Sequence, residues 1–166
     1  MSYAAQAKSL AAYNRWANER ILGTTEALSG EGSASDCADG RSIEDTLAHA
    51  VGTHSWWLNN WTGTEQPSFE EARTRRRETG LRQAFSDTHD RIAALLDATD
   101  DERWATMIAF TFPGASVLKL PMWQTFAQVM LHGVQHRAQV AEALTRLGHS
   151  PGDLDYILWL LRHGGA

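Results

Sequence analysis

The sequence has few of the features that mark secreted, membrane or nucleic-acid-binding proteins. Its 166 residues include one cysteine, so an intramolecular disulfide cannot form. No apolar run approaches the roughly 18 residues of a membrane span, and the first residues lack the form of a signal peptide. The net charge of −5 is opposite to the basic excess typical of nucleic-acid binders. We therefore expect a cytoplasmic protein that binds neither membranes nor nucleic acids.

Two polar stretches are predicted to lie at the surface. The segment 29–40 is rich in Gly, Ser and Asp, which predicts a linker in which Cys37 is an exposed, incidental thiol. The arginine cluster of residues 73–77 lies beside acidic residues in a segment with the composition of a loop. Such charge runs are usually solvated, so we expect no binding role for either stretch.

Four long segments have apolar residues at helical spacing. They are separated by stretches rich in Gly, Pro and Ser, and they cover about 3–28, 43–61, 80–97 and 121–148. Two short apolar runs on either side of Pro113-Gly114 predict a hairpin before the last long helix, and Ser150-Pro151 predicts the start of a short helix through Arg162. The whole chain, 1–166, is thus expected to be one all-α domain, a four-helix bundle with a short β-hairpin and a short C-terminal helix.

Two histidines one helical turn apart, His132 and His136, lie in the segment LHGVQHRAQVAEALTRLG. Residues at i and i+4 have Cβ atoms about 5–6 Å apart, so both imidazoles can reach one cation. On a helical wheel they share the apolar face with Val129 and Val140. Buried rings need partners, and either a shared divalent metal or separate hydrogen bonds to backbone or carboxylate groups would provide them. The spacing alone leaves both explanations open.

A metal site of this kind needs at least a third protein ligand. His49 is the best candidate because it faces inward on the second helix, which a bundle can place against the fourth. His89, at the edge of the third helix's apolar stripe, is an alternative. His54 points about 140° away from His49 around the same helix. His149 and His163 fall at helix ends, where we expect them to be exposed.

Three segments together resemble the signature segments of the DinB family, the DNA-damage-inducible, metal-binding helical-bundle proteins. They are YNRWANERIL at 13–22, SIEDTLAHAVGTHSWWLNNWTG at 42–63 and LHGVQHRAQVAEALTRLGHSPGDLD at 131–155. The resemblance covers nearly the whole chain in order and spacing, and it implies a bundle with a long crossover connection. It also implies three metal ligands, which correspond here to His49, His132 and His136.

Some positions depart from the family's pattern. They are Leu131, Gln135 and Ala138, where family members commonly have Asn, His and Gly, and His54, near which an acid is often found. None of these positions is an expected ligand. The departures change the surroundings of the site, so a relative's substrate cannot be transferred to this chain.

Three neutral histidines leave coordination positions open on a divalent metal. Zinc and nickel suit imidazole, with iron and manganese as alternatives. The resemblance implies a thiol-dependent transferase or a hydrolase, and hence a small-molecule substrate such as a low-molecular-weight thiol. The alternative is a non-catalytic metal-binding or stress-response protein. The sequence assigns no catalytic residue; its candidates for the pocket or for a metal ligand's partner are Asn14, Trp56, Asn60 and Gln139.

Asn14 interrupts the apolar stripe of the first helix, so it either lines a site or makes a hydrogen bond between helices. Gln139 lies about 20° from His132 on the helical wheel and is a candidate hydrogen-bond partner of a ligand. We also expect a homodimer, because Trp16 and Trp61 lie away from the main apolar stripes and the family is often dimeric. Exposed aromatic side chains commonly mark interfaces.

Overall fold

The computed structural model describes residues 2–28, 37–112 and 114–163, apart from the side chains of residues 69, 73 and 75–77. A single 3₁₀ turn, Arg103–Ala105, precedes the strands. The elements are α1 (Tyr3–Glu26), α2 (Ile43–Thr62), α3 (Phe69–Thr79), α4 (Leu81–Asp97), β1 (Met107–Phe110), β2 (Leu118–Pro121), α5 (Met122–Arg146) and α6 (Tyr156–His163). The strands pair antiparallel, with Ile108 opposite Leu120. No helix in the described ranges has the length and apolar character that a membrane crossing requires.

Helices α1, α2, α4 and α5 form the bundle, which confirms the predicted all-α fold. Both α1 and α2 pack against α4 and α5, so α1 and α2 lie at opposite corners. They are consecutive in the chain but not neighbours in the bundle; the long crossover that the resemblance implies falls partly on residues 29–36, outside the described residues. Helix α2 begins where the sequence predicts: Ser42 Oγ accepts a hydrogen bond of 3.0 Å from the Asp45 N–H, which satisfies one of the free donors of the first turn.

The described residues form two large apolar clusters and a small third one, in which Tyr13 and Ala17 of α1 pack against Trp159 of α6. The hairpin-side cluster includes Trp57, Trp61, Leu96, Phe110 and Phe126. The linker-side cluster includes Ile21, Ile43, Leu47, Phe85 and Leu144. Helices α1 and α5 run from the hairpin-side cluster to the linker-side cluster, while α2 and α4 run in the opposite direction. Between the two clusters each helix contributes polar side chains, which form a layer across the middle of the bundle.

The arginine-rich segment 73–77 is helical, so its prediction as a loop was wrong. The start of α3 is stabilised by a capping box, in which the Ser68 N–H donates to Glu71 Oε2 at 2.8 Å and the Glu71 N–H donates to Ser68 Oγ at 3.2 Å. This Ser-x-x-Glu spacing is a start signal that outweighs the polar composition. The arginine side chains lie outside the described residues, so their solvation remains a prediction.

Cys37 is buried, with 3 % of its surface exposed, so the prediction of an exposed thiol was wrong. It packs in the linker-side cluster. Its N–H donates to the Arg41 carbonyl at 2.7 Å, and the Gly40 N–H donates to the Cys37 carbonyl at 2.9 Å. This turn places the thiol against the core, and burial raises the pKa of Cys37. The remainder of the predicted linker, residues 29–36, lies outside the described residues.

The two tryptophans that motivated the homodimer lie elsewhere than expected. Trp61 is in the core, where its Nε1–H donates to Thr125 Oγ1 at 2.9 Å. Trp16 is half-buried beside Tyr13 and His163. The dimer prediction therefore loses this support, although the oligomeric state itself is a separate question.

The last helix begins at Tyr156, later than Ser150-Pro151 predicts. The preceding residues are held as an extended segment against α1 because Tyr13 Oη donates to the Leu154 carbonyl at 2.7 Å. Arg20 Nη2 also donates to the Pro151 carbonyl at 2.6 Å. These contacts use backbone carbonyls that a helix starting at Pro151 would itself require.

Candidate metal centre

His132 and His136 lie on α5 with their rings together, as the spacing predicts. Their ring centroids are 4.3 Å apart, and their Nε2 atoms are 3.1 Å apart. His136 is 5 % exposed, whereas His132 is half-buried. Two ligands of a tetrahedral ion with metal–nitrogen bonds of about 2.0–2.1 Å are separated by about 3.3 Å. The two Nε2 atoms are thus already close to the spacing that one cation requires.

His49, on α2, completes the group. Its ring centroid lies 5.2 Å from that of His132 and 4.9 Å from that of His136. One ring nitrogen from each residue lies within 4.8 Å of the others. The antiparallel packing of α2 and α5 brings them together, since the three residues are separated by more than 80 positions at the widest. His49 is exposed, so the group opens to solvent on the α2 side.

Gln139 holds the His136 ring in one orientation. Its Oε1 lies 2.7 Å from His136 Nδ1, and an amide oxygen can only accept, so Nδ1 carries the proton. The other nitrogen, Nε2, is then left with a lone pair facing the group. The Gln139 Nε2–H₂ donates in turn to Asp39 Oδ2 at 3.3 Å. A carboxylate thus supports the orienting amide, an arrangement that increases the basicity of metal-ligating histidines.

The electrostatics of the group favour a neutral ring at His132. Burial lowers the pKa of His132 to about 4, together with the repulsion that a protonated His132 would meet from His136, His49 and Arg41. Nδ1 of His132 is buried and has no hydrogen-bond partner among the described residues. The donor set is three imidazoles, which suits zinc, nickel and other borderline divalent metals. The residues present therefore fit a divalent cation.

The remaining histidines do not belong to this group. His54 is fully buried between α2 and α5, and His89 on α4 accepts a hydrogen bond from Asn18 Nδ2 at 3.1 Å. His149 and His163 are exposed, as their positions at helix ends predict. The alternative ligand His89 thus belongs to a different set of contacts from His49.

The other candidate pocket residues lie farther from the three histidines than Gln139 does. Trp56 stacks on Phe112 with ring centroids 5.7 Å apart, and Asn60 Nδ2 donates to the Trp56 carbonyl at 2.9 Å. At 1.5 Å per residue they lie about 10 Å and 16 Å along α2 from His49, toward the hairpin. Asn14 accepts a hydrogen bond from Arg137 in the polar layer. These three side chains are therefore not immediate partners of the histidines.

The sequence did not predict the role of Asp39 or the buried polar layer. Asp39 was treated as part of a linker, and the only signal was its position just before α2. Asn18, His54 and Arg137 were not recognised as a buried polar layer. The i, i+4 spacing of Asn14 and Asn18 on α1 could have indicated it, since two amides on one apolar face need shared partners.

A helical bundle with three convergent imidazoles defines a class of metal-binding helical protein. The chain belongs to the DinB family, whose family model matches residues 1–162. This confirms the resemblance drawn from the three segments. No curated protein matches the chain. Family membership and the three-histidine group together fit the binding of a metal ion.

Proposed function

We propose that the protein is a metal-dependent enzyme in which His49, His132 and His136 hold one divalent cation. The observation that carries this proposal is the convergence of three imidazoles with the His49 side exposed. Structural metal sites are usually closed by four protein ligands, whereas catalytic sites keep an open position. A group of three ligands that opens to solvent thus favours catalysis over a purely structural role.

When bound, the cation supplies Lewis acidity, which activates water or a thiol as a nucleophile at neutral pH. The protein's own residues orient this site. Gln139 keeps the proton of His136 on Nδ1, and Asp39 keeps Gln139 in place. We propose a small-molecule substrate, in which transfer to or from a low-molecular-weight thiol, or hydrolysis, takes place on the exposed side of the group.

Metal content tests the site. Elemental analysis of the purified protein is expected to show one zinc or nickel ion, or else iron or manganese, per chain. His132→Ala and His136→Ala should each abolish stoichiometric metal while the circular dichroism spectrum stays helical. His149→Ala, which removes an exposed histidine, is the matched control and should retain the metal. Full metal occupancy in His136→Ala, or loss of metal in His89→Ala, would contradict the assignment.

Activity tests the reaction. The metal-loaded protein is incubated with a panel of electrophiles and each common low-molecular-weight thiol in turn, and with ester and amide substrates for hydrolysis. Turnover that disappears in His136→Ala supports the enzyme. A protein that binds metal stoichiometrically and stays inactive against the whole panel would favour the non-catalytic metal-binding or stress-response role.

We also propose a homodimer, supported by an exposed apolar face that differs from the predicted one. Trp123, Leu131 and Val134 lie on one side of α5, and Leu118 and Leu120 of β2 are exposed as well. Contiguous exposed apolar side chains commonly mark protein interfaces. Light scattering should give the mass of a dimer.

Glutamate substitutions locate the interface. Leu131→Glu on α5 should convert the dimer to a monomer, whereas Leu161→Glu on α6, also exposed, should leave the dimer intact. A wild-type protein that is monomeric at high concentration would refute the proposal.

A further inference from the structure

The polar layer across the middle of the bundle contains a buried cation. Arg137 on α5 is 4 % exposed, and its Nη1 donates to the amide oxygens of Asn14 and Asn18 on α1. Its Nη2 has no hydrogen-bond partner among the described residues, and none of their carboxylates lies within ion-pair distance of it. A guanidinium stays protonated in proteins. The interior therefore carries a positive charge that neutral amides solvate and no acid in the described part of the chain neutralises.

This cation fixes which way the neighbouring amides point. Because the Oδ1 atom of Asn18 accepts from Arg137, its Nδ2–H₂ group is the one that reaches His89 Nε2, at 3.1 Å. His89 Nε2 is therefore an acceptor. Burial, with the positive charges of Arg15 and Arg137, lowers the pKa of His89 to about 4. The ring is thus neutral, and its single proton is on Nδ1.

Asn14 and His89 both line a cavity of about 250 Å³ between α1 and α4. The Oδ1 atom of Asn14 is engaged by Arg137, so the group that Asn14 offers to the cavity is its Nδ2 donor. His89 offers its Nδ1–H. The polar end of the cavity therefore presents hydrogen-bond donors with a buried cation behind them.

The remaining walls of the cavity are mainly apolar. They are formed by Ala11, Ala12, Ile92, Ala93, Leu96 and Met130. At the mouth, Lys8 pairs with Asp97 at 2.7 Å, and Arg15 pairs with Asp90 on α4. Arg15 also pairs with Glu19, at 3.0 Å, so the exposed groups at the mouth carry a net charge of −1. Solvent screens these exposed charges, whereas the charge of Arg137 is buried. A pocket with apolar walls and a few convergent polar groups is the usual form of a small-molecule site.

We propose that this cavity binds a small carboxylate with an apolar body, whose carboxylate accepts from Asn14 Nδ2 and His89 Nδ1 while its body packs against the alanines, Ile92 and Met130. The site is distinct from the three histidines. On α5, Met130 and His132 are two residues apart, so their side chains point about 200° apart around the helix. The proposal therefore goes beyond the proposed enzyme function and does not depend on a bound metal.

The test uses three probes of one shape and different charge: benzoate, benzamide and benzylamine. Each is titrated into the ¹⁵N-labelled full-length protein, and binding is followed by chemical-shift changes. Benzoate should bind saturably and perturb the His89 ring nitrogens, which should show the Nδ1–H tautomer. Benzamide should bind about tenfold more weakly because a charged acceptor makes a stronger hydrogen bond, and benzylamine should not bind.

Two variants localise the site. Asn14→Asp keeps an oxygen for Arg137 but replaces the donor with an acceptor and adds a negative charge, so benzoate affinity should fall at least about tenfold. Ala93→Leu fills the cavity and should abolish binding, whereas Ala94→Leu, the matched control on the next residue of α4, should not. His132→Ala should leave benzoate binding unchanged, which separates this proposal from the metal site.

Several results would overturn the proposal. These are the absence of saturable benzoate binding, equal binding of benzoate and benzamide, or benzoate binding that survives Ala93→Leu. Should Asn14→Asp fail to fold, Ala93→Leu and its control still decide whether the cavity is the site. An Nε2–H tautomer of His89 would contradict the donor arrangement directly.

Discussion

Gly133 lies on α5 between the two metal-site histidines, and its replacement by alanine tests the packing of the polar layer. A Cβ at this position would lie 2.9 Å from Asn14 Oδ1, 3.1 Å from Arg137 Nη1 and 3.2 Å from His54 Nε2. The methyl group would therefore press on the hydrogen bond from Arg137 to Asn14. All three polar atoms are buried, so their side chains have little freedom to move away.

Three contributions determine how much Gly133→Ala changes the free energy of unfolding. Overpacking a tight interior costs about 1–3 kcal/mol, and weakening a hydrogen bond from a charged donor costs up to about 1.5–3 kcal/mol. The better helix propensity of alanine offsets about 1 kcal/mol. We expect Gly133→Ala to lower the free energy of unfolding by about 2–4 kcal/mol.

Gly23, in the last part of α1, supplies the matched control. A Cβ there would meet only Arg82 Nη2, at 3.9 Å, which is an ordinary van der Waals contact. Gly23→Ala should therefore stabilise the protein by up to about 1 kcal/mol. Urea denaturation followed by circular dichroism measures both variants at equal metal content. If Gly133→Ala is as stable as Gly23→Ala, the close packing of the polar layer around α5 is refuted.

Two further predictions concern the histidines. Gln139→Ala should lower metal affinity roughly 10–100-fold without unfolding the protein, because His136 loses the acceptor that orients it. Competition with a chromophoric chelator measures the affinity. An unchanged affinity would contradict the orienting role of Gln139. Burial lowers the pKa of His89 to about 4 and that of His54 to about 3, so the unfolded chain, with histidine pKa values near 6.5, binds more protons below that pH. The free energy of unfolding of the metal-free protein should therefore fall as the pH drops from about 6.5 toward 4, by up to about 1.4 kcal/mol per pH unit for each histidine. His89→Gln should reduce that slope in urea titrations at several pH values, and an unchanged slope would show that His89 is not buried as a neutral ring.

The bundle was predictable because its information is local. Apolar periodicity and the Ser42 cap each act within one helix, and the two short apolar runs of the predicted hairpin are close in sequence; all three are found in the fold. The i, i+4 pair His132 and His136 is local in the same sense, because helix geometry alone puts the two rings together.

The rest of the site depends on contacts between distant parts of the chain. Asp39 reaches Gln139 only because the turn at Cys37 is anchored in the linker-side cluster, and neither periodicity nor a motif encodes that turn. We predicted that Trp61 lies outside the core because the prediction considered only the apolar stripe of α2, the helix that carries it. The start of α5 provides its partner, Thr125, 64 residues later.

Helix α5 carries His132 and His136 on one side and the buried cation Arg137 on another, and His54 lies close to Arg137 where both approach Gly133. The metal-site histidines face α2, while Arg137 faces α1 inside the bundle. Burial, followed by electrostatic repulsion from Arg137 and by the repulsion that protonated His89 and His132 rings would add, lowers the pKa of His54 to about 3, so it stays neutral and adds no charge. An acid at this position would neutralise Arg137 across the bundle. The neutral ring instead leaves the Arg137 charge available to polarise Asn14 and Asn18, and it is this charge that gives the α1–α4 cavity its preference for an anion.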